Sequence, residues 1–159
     1  AGLLLGGRAI FGQRFAAGEI GHVVVGTDDG PPCACGKFGC LEAWLSVPRL
    51  TEAIREATAA AASPSDAELA VHRILTEAGR RLGIVLAPVV GALNLLDIVL
   101  SGPPELLDGV LSAATVDTLR LRTMGSETGD LTLRMTAQGE DIVLRGAAVM
   151  VLSAQLGVS

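Results

Sequence analysis

Aromatic side chains make up only 3% of this 159-residue chain, and tyrosine is absent altogether. Leu, Val, Ile and Ala must therefore fill its core. Charged residues are also few, at 18%, while hydrophobic residues reach 50%. That balance excludes wholesale disorder, and the length suffices for one domain with a proper core. Basic residues are outnumbered by acidic ones, 12 against 17, giving a net charge of −5 and a pI near 4.9. A field of that sign disfavours unaided binding to nucleic acid or to an anionic membrane, so any DNA-reading part lies outside this chain. The segment Ala1–Gly7 has neither a basic leader nor a cleavage site. The most apolar run, Leu82 to Leu100, is interrupted by Pro88, Asn94 and Asp97 and makes a poor membrane span. Internal repeats, low-complexity tracts and a convincing domain boundary are missing as well. These absences predict a soluble, cytoplasmic protein with no membrane partner. The chain opens inside an apolar segment without Met, as a piece lacking an N-terminal part would.

Cysteine is scarce, and its placement is the most informative thing present. All three, Cys33, Cys35 and Cys40, fall within eight positions, with His22 eleven residues before Cys33. Three thiols cannot all pair, and an odd clustered set reads as metal ligation in a reducing compartment rather than as a secreted disulfide scaffold. Three thiolates and one imidazole form a complete Cys3His set for a structural zinc ion, which leaves no open position for a substrate. Gly36 and Gly39 free the backbone to turn between the ligands. The alternative for these residues is a set of inert buried thiols with His22 as an ordinary core histidine.

Strands alternating with helices predict an α/β layered fold. Gly2–Leu5 and Arg8–Phe11, joined by Gly6-Gly7, read as a tight hairpin. His22–Val25 reads as a β-branched strand, followed by a turn-rich segment from Thr27 to Pro32. A helix starts at Leu41, with Leu41, Trp44 and Leu45 on one face, and Pro48 opens another that runs from Arg49 to Ala62. Ser63–Asp66 caps a long helix from Ala67 to about Leu95, with Ile74, Ala78, Leu82, Val85 and Val89 at helical spacing. Asp97–Leu100 reads as a buried strand, Glu105–Leu119 as a helix, Leu131–Met135 as a strand, and Asp141–Leu156 as a last helix.

Gly18-Glu19-Ile20-Gly21-His22, taken together with Cys33-x-Cys35-Gly36-x-x-Gly39-Cys40-x-Glu42, resembles the signature of the ROK family of bacterial sugar kinases and sugar-responsive transcriptional repressors. Leu93–Gly102 and the closing helix around Gly146-Ala147-Ala148 fit the same family. The resemblance covers residues 1–159 as the C-terminal lobe of a full member, with the zinc and sugar motif at 18–42. It implies the actin-like, ribonuclease-H-like ATPase fold, here as one lobe with an inserted zinc-binding loop. It further implies a structural zinc held by His22, Cys33, Cys35 and Cys40, and sugar hydroxyls bound by Glu19, His22 and Glu42. On residue type alone, Glu19 reads as a solvated loop carboxylate and Glu42 as a first-turn helix residue; the motif favours the sugar role for both. Lone on helical faces, His72 and Trp44 read as packing or surface residues.

The family's catalytic residues come from the other lobe, so the resemblance assigns no catalytic residue to this chain. Where the family's kinases carry glycines for close nucleotide approach, this chain has Ser101-Gly102-Pro103-Pro104, and of the phosphate-binding glycines before the first strand only Gly2 is present. Prolines remove donors and stiffen such a loop. The expectation is therefore the ligand-sensing domain of a transcriptional regulator that binds a sugar or sugar phosphate. It would act as a homodimer or tetramer and touch DNA only through a missing N-terminal domain. The alternative is an ATP-dependent sugar kinase of glucokinase or fructokinase type.

Overall fold

In the computed structural model, which describes residues 1–26, 30–124, 131–137 and 141–156, the chain starts with the expected hairpin. Strands β1 (Leu3–Leu5) and β2 (Arg8–Ile10) pair antiparallel, Leu4 opposite Ala9. Gly6 and Gly7 turn between them with φ of 55° and 77°, which only glycine adopts freely. Short 3-10 turns follow at Gln13–Phe15 and Ile20–His22. The expected strand at His22–Val25 is not formed as such. His22 closes the second turn, its N–H donating to Glu19 O, and the extended stretch after it pairs only through a bridge between Val24 and Cys40.

Helix α1 (Leu41–Leu45) ends at Ser46, and α2 (Val47–Ala60) begins with Pro48 in its first turn, where a missing N–H costs nothing. Helix α3 (Pro64–Leu93) is capped at Ser63, whose hydroxyl oxygen accepts from the Asp66 N–H at 3.2 Å. It runs thirty residues and stops at Asn94 in the left-handed region, φ 49° and ψ 52°. Pro88 lies inside it without ending it, on an exposed face where water can reach the carbonyl that loses its donor.

Strand β3 (Asp97–Leu100) pairs parallel with β4 (Thr132–Met135), and Arg134 forms a two-pronged hydrogen bond with Asp97 across the pair. Among the described residues, these four strands form two separate two-stranded sheets. Between β3 and β4, the single helix expected over Glu105–Leu119 is divided into α4 (Pro104–Leu107) and α5 (Val110–Arg122). The chain breaks at Gly109, which has φ 72° and donates its N–H to the Asp108 carboxylate at 2.8 Å. Helix α6 (Ile142–Leu156) closes the chain, with Leu144, Val149 and Val151 exposed. No helix among the described residues is long and apolar enough to cross a membrane.

The core lies between α3 and its neighbours. Leu50 of α2, Leu75 and Ala78 of α3 and Leu111 of α5 form one buried cluster, and Ala87, Val90 and Leu119 form a second toward β3. A third joins Val25 and Leu41 to Val85, so the segment before the cysteines is packed onto the same helix. Helices α3 and α5 approach closely because α3 presents Gly79 and Gly83 at the crossing. A Cβ on Gly79 would stand 2.2 Å from Leu111 O, and one on Gly83 2.6 Å from Thr118 Cβ. Buried Thr115 completes the contact, its hydroxyl 2.8 Å from Leu111 O and 3.1 Å from Gly79 O. Its polar atom is thereby satisfied inside the seam, as is that of Thr118, whose hydroxyl donates to Ala114 O at 2.8 Å.

Gly79→Ala and Gly83→Ala should each destabilise the protein by about 1–3 kcal/mol through overpacking, although alanine alone would favour an isolated helix by about 1 kcal/mol. Gly91→Ala, where an added Cβ meets nothing within 4 Å, should be neutral or stabilising. Urea unfolding followed by circular dichroism ranks the three.

Candidate functional site

The loop after Gly30 folds back on itself. Cys33 donates its N–H to Lys37 O at 2.8 Å, Gly39 to Pro31 O at 2.9 Å, and Gly36 closes the tip by donating to Cys33 O at 3.0 Å. Gly36 takes φ 87°, a left-handed value that the tip of this turn requires. A second pair of bonds ties the loop to the preceding segment: Val25 N–H to Gly39 O at 2.8 Å and Leu41 N–H to Val23 O at 2.9 Å. Cys40 sits between those two bonds, fully buried. Gly30 lies against Gly39 so closely that a Cβ on it would stand 2.3 Å from Gly39 Cα. The loop can therefore shut only with glycine at that crossing.

This folding brings all four expected metal ligands together. Cys33 Sγ is 3.6 Å from His22 Nδ1, Cys35 Sγ is 3.6 Å from Cys40 Sγ, and the four ligand atoms lie within 4.8 Å of one another. A tetrahedron with metal–sulfur bonds of about 2.3 Å and a metal–nitrogen bond of about 2.0 Å has edges of roughly 3.5–3.8 Å. Two of the edges already have that length, so the donors fit a four-coordinate metal ion. Burial, then the neighbouring thiols, push the Cys40 thiol up to about 11. The Lys37 N–H, foremost among several contacts, lowers that of exposed Cys35. A divalent cation reverses the logic at Cys40, because every coordinated sulfur is held as thiolate.

The expected ligand-binding residues gather on the same imidazole. Glu19 Oε2 is 3.9 Å from His22 Nε2, and Glu42 Oε2 is 3.8 Å from Nδ1. Both carboxylates are open to solvent, at 69% and 52% exposure. Glu42 also lies beside Gly21, its Oε2 3.5 Å from where a Cβ on that glycine would be, an ordinary contact distance. With Nδ1 turned to the thiols, Nε2 is free to face Glu19, so one ring can serve both groups.

His72 is exposed, its Nδ1 3.4 Å from Thr76 Oγ1, as a surface residue should be. Trp44 is half-buried and has a partner that its spacing did not announce, Arg81 of α3, whose guanidinium carbon stands 3.4 Å from the ring centroid. A single tryptophan in a chain this poor in aromatics was the available signal, but nothing in the sequence pairs positions 37 residues apart. At Ser101–Pro104, Gly102 takes φ 150° and packs against Leu107, while Pro104 opens α4. The segment thus acts as a strand-ending turn.

Comparison with known proteins gives a consistent picture. The ROK family model matches residues 1–154. A glucokinase of Halalkalibacterium halodurans is 38% identical over 79 residues, which are 47% of this chain and 23% of that protein. Among solved structures, a ROK hexokinase from Thermus thermophilus is 32% identical with a TM-score of 0.72, over 97% of this chain and 54% of its own. A ROK family transcriptional regulator, a homologue of the E. coli MLC protein, is 25% identical with a TM-score of 0.68, over 84% of this chain and 38% of its own. The chain thus spans about half of the hexokinase and less of the regulator.

Titration with Co2+ should give intense thiolate-to-metal absorption and the visible bands of a tetrahedral site. Cys35→Ser should lose most of both. An unchanged spectrum would remove Cys35 from the ligand set.

Proposed function

The chain belongs to the ROK family, and from that membership we propose that it is the C-terminal lobe of a bacterial transcriptional regulator that binds a sugar or sugar phosphate beside a structural zinc ion. The observation that carries the reading is the placement of His22, which shares a cluster with three thiols, its Nδ1 3.6 Å from Cys33 Sγ and 3.8 Å from Glu42 Oε2 and its Nε2 3.9 Å from Glu19 Oε2. Cys33, Cys35, Cys40 and His22 Nδ1 would hold the zinc, which supplies fixed geometry and, with four protein ligands, no open coordination site.

The chemistry beside it suits a polyol. Carboxylates accept hydrogen bonds from vicinal hydroxyls, and their charge strengthens those bonds. Glu19 and Glu42 approach the imidazole from separate elements, a 3-10 turn and a helix start. A ligand bridging them would therefore bind only when the loop is closed. Such a ligand shifts an equilibrium between two arrangements of a dimer or tetramer by as much as its affinities for them differ. DNA would be read by a helix-turn-helix outside this chain, and the protein would work in the cytoplasm. The actin-like fold, with its zinc-binding loop as an insertion, belongs to the same reading.

A sugar kinase is the second reading, and the 32% identity to the Thermus thermophilus hexokinase over nearly the whole chain favours it. Both readings use the same binding groups. What favours the regulator is the pair of prolines after β3, since Pro103 and Pro104 offer no N–H to a phosphate.

The full-length protein should carry close to one equivalent of zinc by metal analysis. Glu42→Gln should leave that zinc in place and weaken sugar binding by about tenfold, equivalent to ~1.4 kcal/mol, in calorimetry with a panel of hexoses and hexose phosphates. Unchanged affinity would remove Glu42 from the site. ATP-dependent phosphorylation of a hexose by the full-length protein would overturn the regulator reading in favour of the kinase.

A further inference from the structure

The cysteine loop has an apolar anchor as well as its ligands. Trp44, on α1, turns its Cζ2 edge toward Gly30 and stands 3.4 Å from where a Cβ on that residue would lie. Gly30 in turn rests on Gly39, the residue before Cys40. On the ring's face sits Arg81, its guanidinium carbon 3.4 Å from the centroid. Glu77, one turn earlier on α3, holds that guanidinium, with Oε1 2.9 Å from a terminal nitrogen. The result is a continuous stack from α3 to the metal loop: Glu77, Arg81, Trp44, Gly30, Gly39.

Two features make the stack more than incidental packing. The indole Nε1 is buried and has no hydrogen-bond partner among the described residues, so the ring is held by its face and edge rather than by its polar atom. Arg81 is itself largely withdrawn from water, at 20% side-chain exposure, and burial is the main influence on it, disfavouring its charge. A cation–π contact gains strength when the cation is desolvated in this way.

We propose that Arg81 is a positioning residue which, acting through Trp44, holds the loop from Gly30 to Cys40 against helix α3 and so sets where Glu42 and the thiols stand relative to His22. The geometric claim stands on the stack alone; its bearing on ligand affinity rests on the reading of Glu42 given above. Lysine in place of Arg81 keeps a cation but loses the planar face that lies over the ring. Methionine keeps the length and polarizability without the charge.

Hydrogen exchange by mass spectrometry on the full-length protein tests this, with wild type, Arg81→Met, Arg81→Lys, Trp44→Leu and the Arg81→Met/Trp44→Leu double variant. Exchange in peptides covering residues 30–42 should quicken about tenfold in Arg81→Met, with peptides from α5 unchanged, and Arg81→Lys should fall between the two. In the Trp44→Leu background, adding Arg81→Met should change the loop no further. Unchanged loop exchange, equal acceleration across all peptides, no recovery by lysine, or additive effects in the double variant would each overturn the proposal. Zinc content and sugar affinity of the wild type are measured on the same samples. Their absence would count against the proposed function and leave the exchange result to decide this inference by itself.

Discussion

One imidazole has to face two ways, and the local structure follows from that requirement. His22 must bring Nδ1 to the thiols while leaving Nε2 toward Glu19. Its place at the end of the 3-10 turn Ile20–His22, just before the extended segment that pairs with Cys40, puts the ring beside the cysteine loop. The ladder bonds at Val25 and Leu41 then bring the loop under the ring. One glycine is indispensable to this closure: Gly30 admits Gly39, whose Cα would lie 2.3 Å from a Cβ on Gly30.

A site assembled from turns is only as firm as what lies beneath it. Here that support is α3, which holds α5 on one side through Gly79 and Gly83 and carries Val85 against Val25 and Leu41 on another. The two contacts differ in kind. The α3–α5 seam is close backbone packing, with Thr115 as its internal hydrogen bond, and it tolerates almost no change in volume. The contact toward the cysteine loop is thinner and depends on a few side chains, Val25, Leu41 and Trp44. An aromatic stack, and a metal ion held by the four clustered donors as proposed, would each restrain there a loop that buries too little apolar surface to order itself.

Much of this was readable from residue order. Local chemistry marks the Gly6-Gly7 hairpin, the Ser63 cap and the thirty-residue helix, because turn residues, capping hydroxyls and helical spacing act within a few positions. The Cys3His cluster was equally plain, since few other fates suit three thiols that cannot pair among themselves. The misjudged elements depend on partners distant in sequence. Val23-Val24-Val25 has strand propensity, yet only Val24 finds a bridge partner. Glu105–Leu119 has helical spacing, yet Asp108 captures the Gly109 amide and splits it. For the Trp44–Arg81 stack the lone tryptophan was the one signal, and it stops short of the partner, because neither residue type nor spacing indicates which cation will lie over an indole.

The choice between regulator and kinase turns on a different physical question from the one the zinc cluster answers. In the proposed site, sugar recognition needs polar groups fixed in space: Glu19 and Glu42 would accept hydrogen bonds and the Nε2–H of a metal-bound His22 would donate one, whether or not a phosphoryl group is ever transferred. Transfer additionally needs donors arranged around a polyphosphate, and backbone N–H groups in glycine-rich turns are the usual source. After β3 this chain has Pro103 and Pro104, which offer no N–H, and Gly102 packs against Leu107. In the proposed regulator, a lobe that binds its ligand without such donors reports that the ligand is present. The energy it delivers is limited to the differential affinity of that ligand for two conformations, the regime of a sensor rather than of a catalyst.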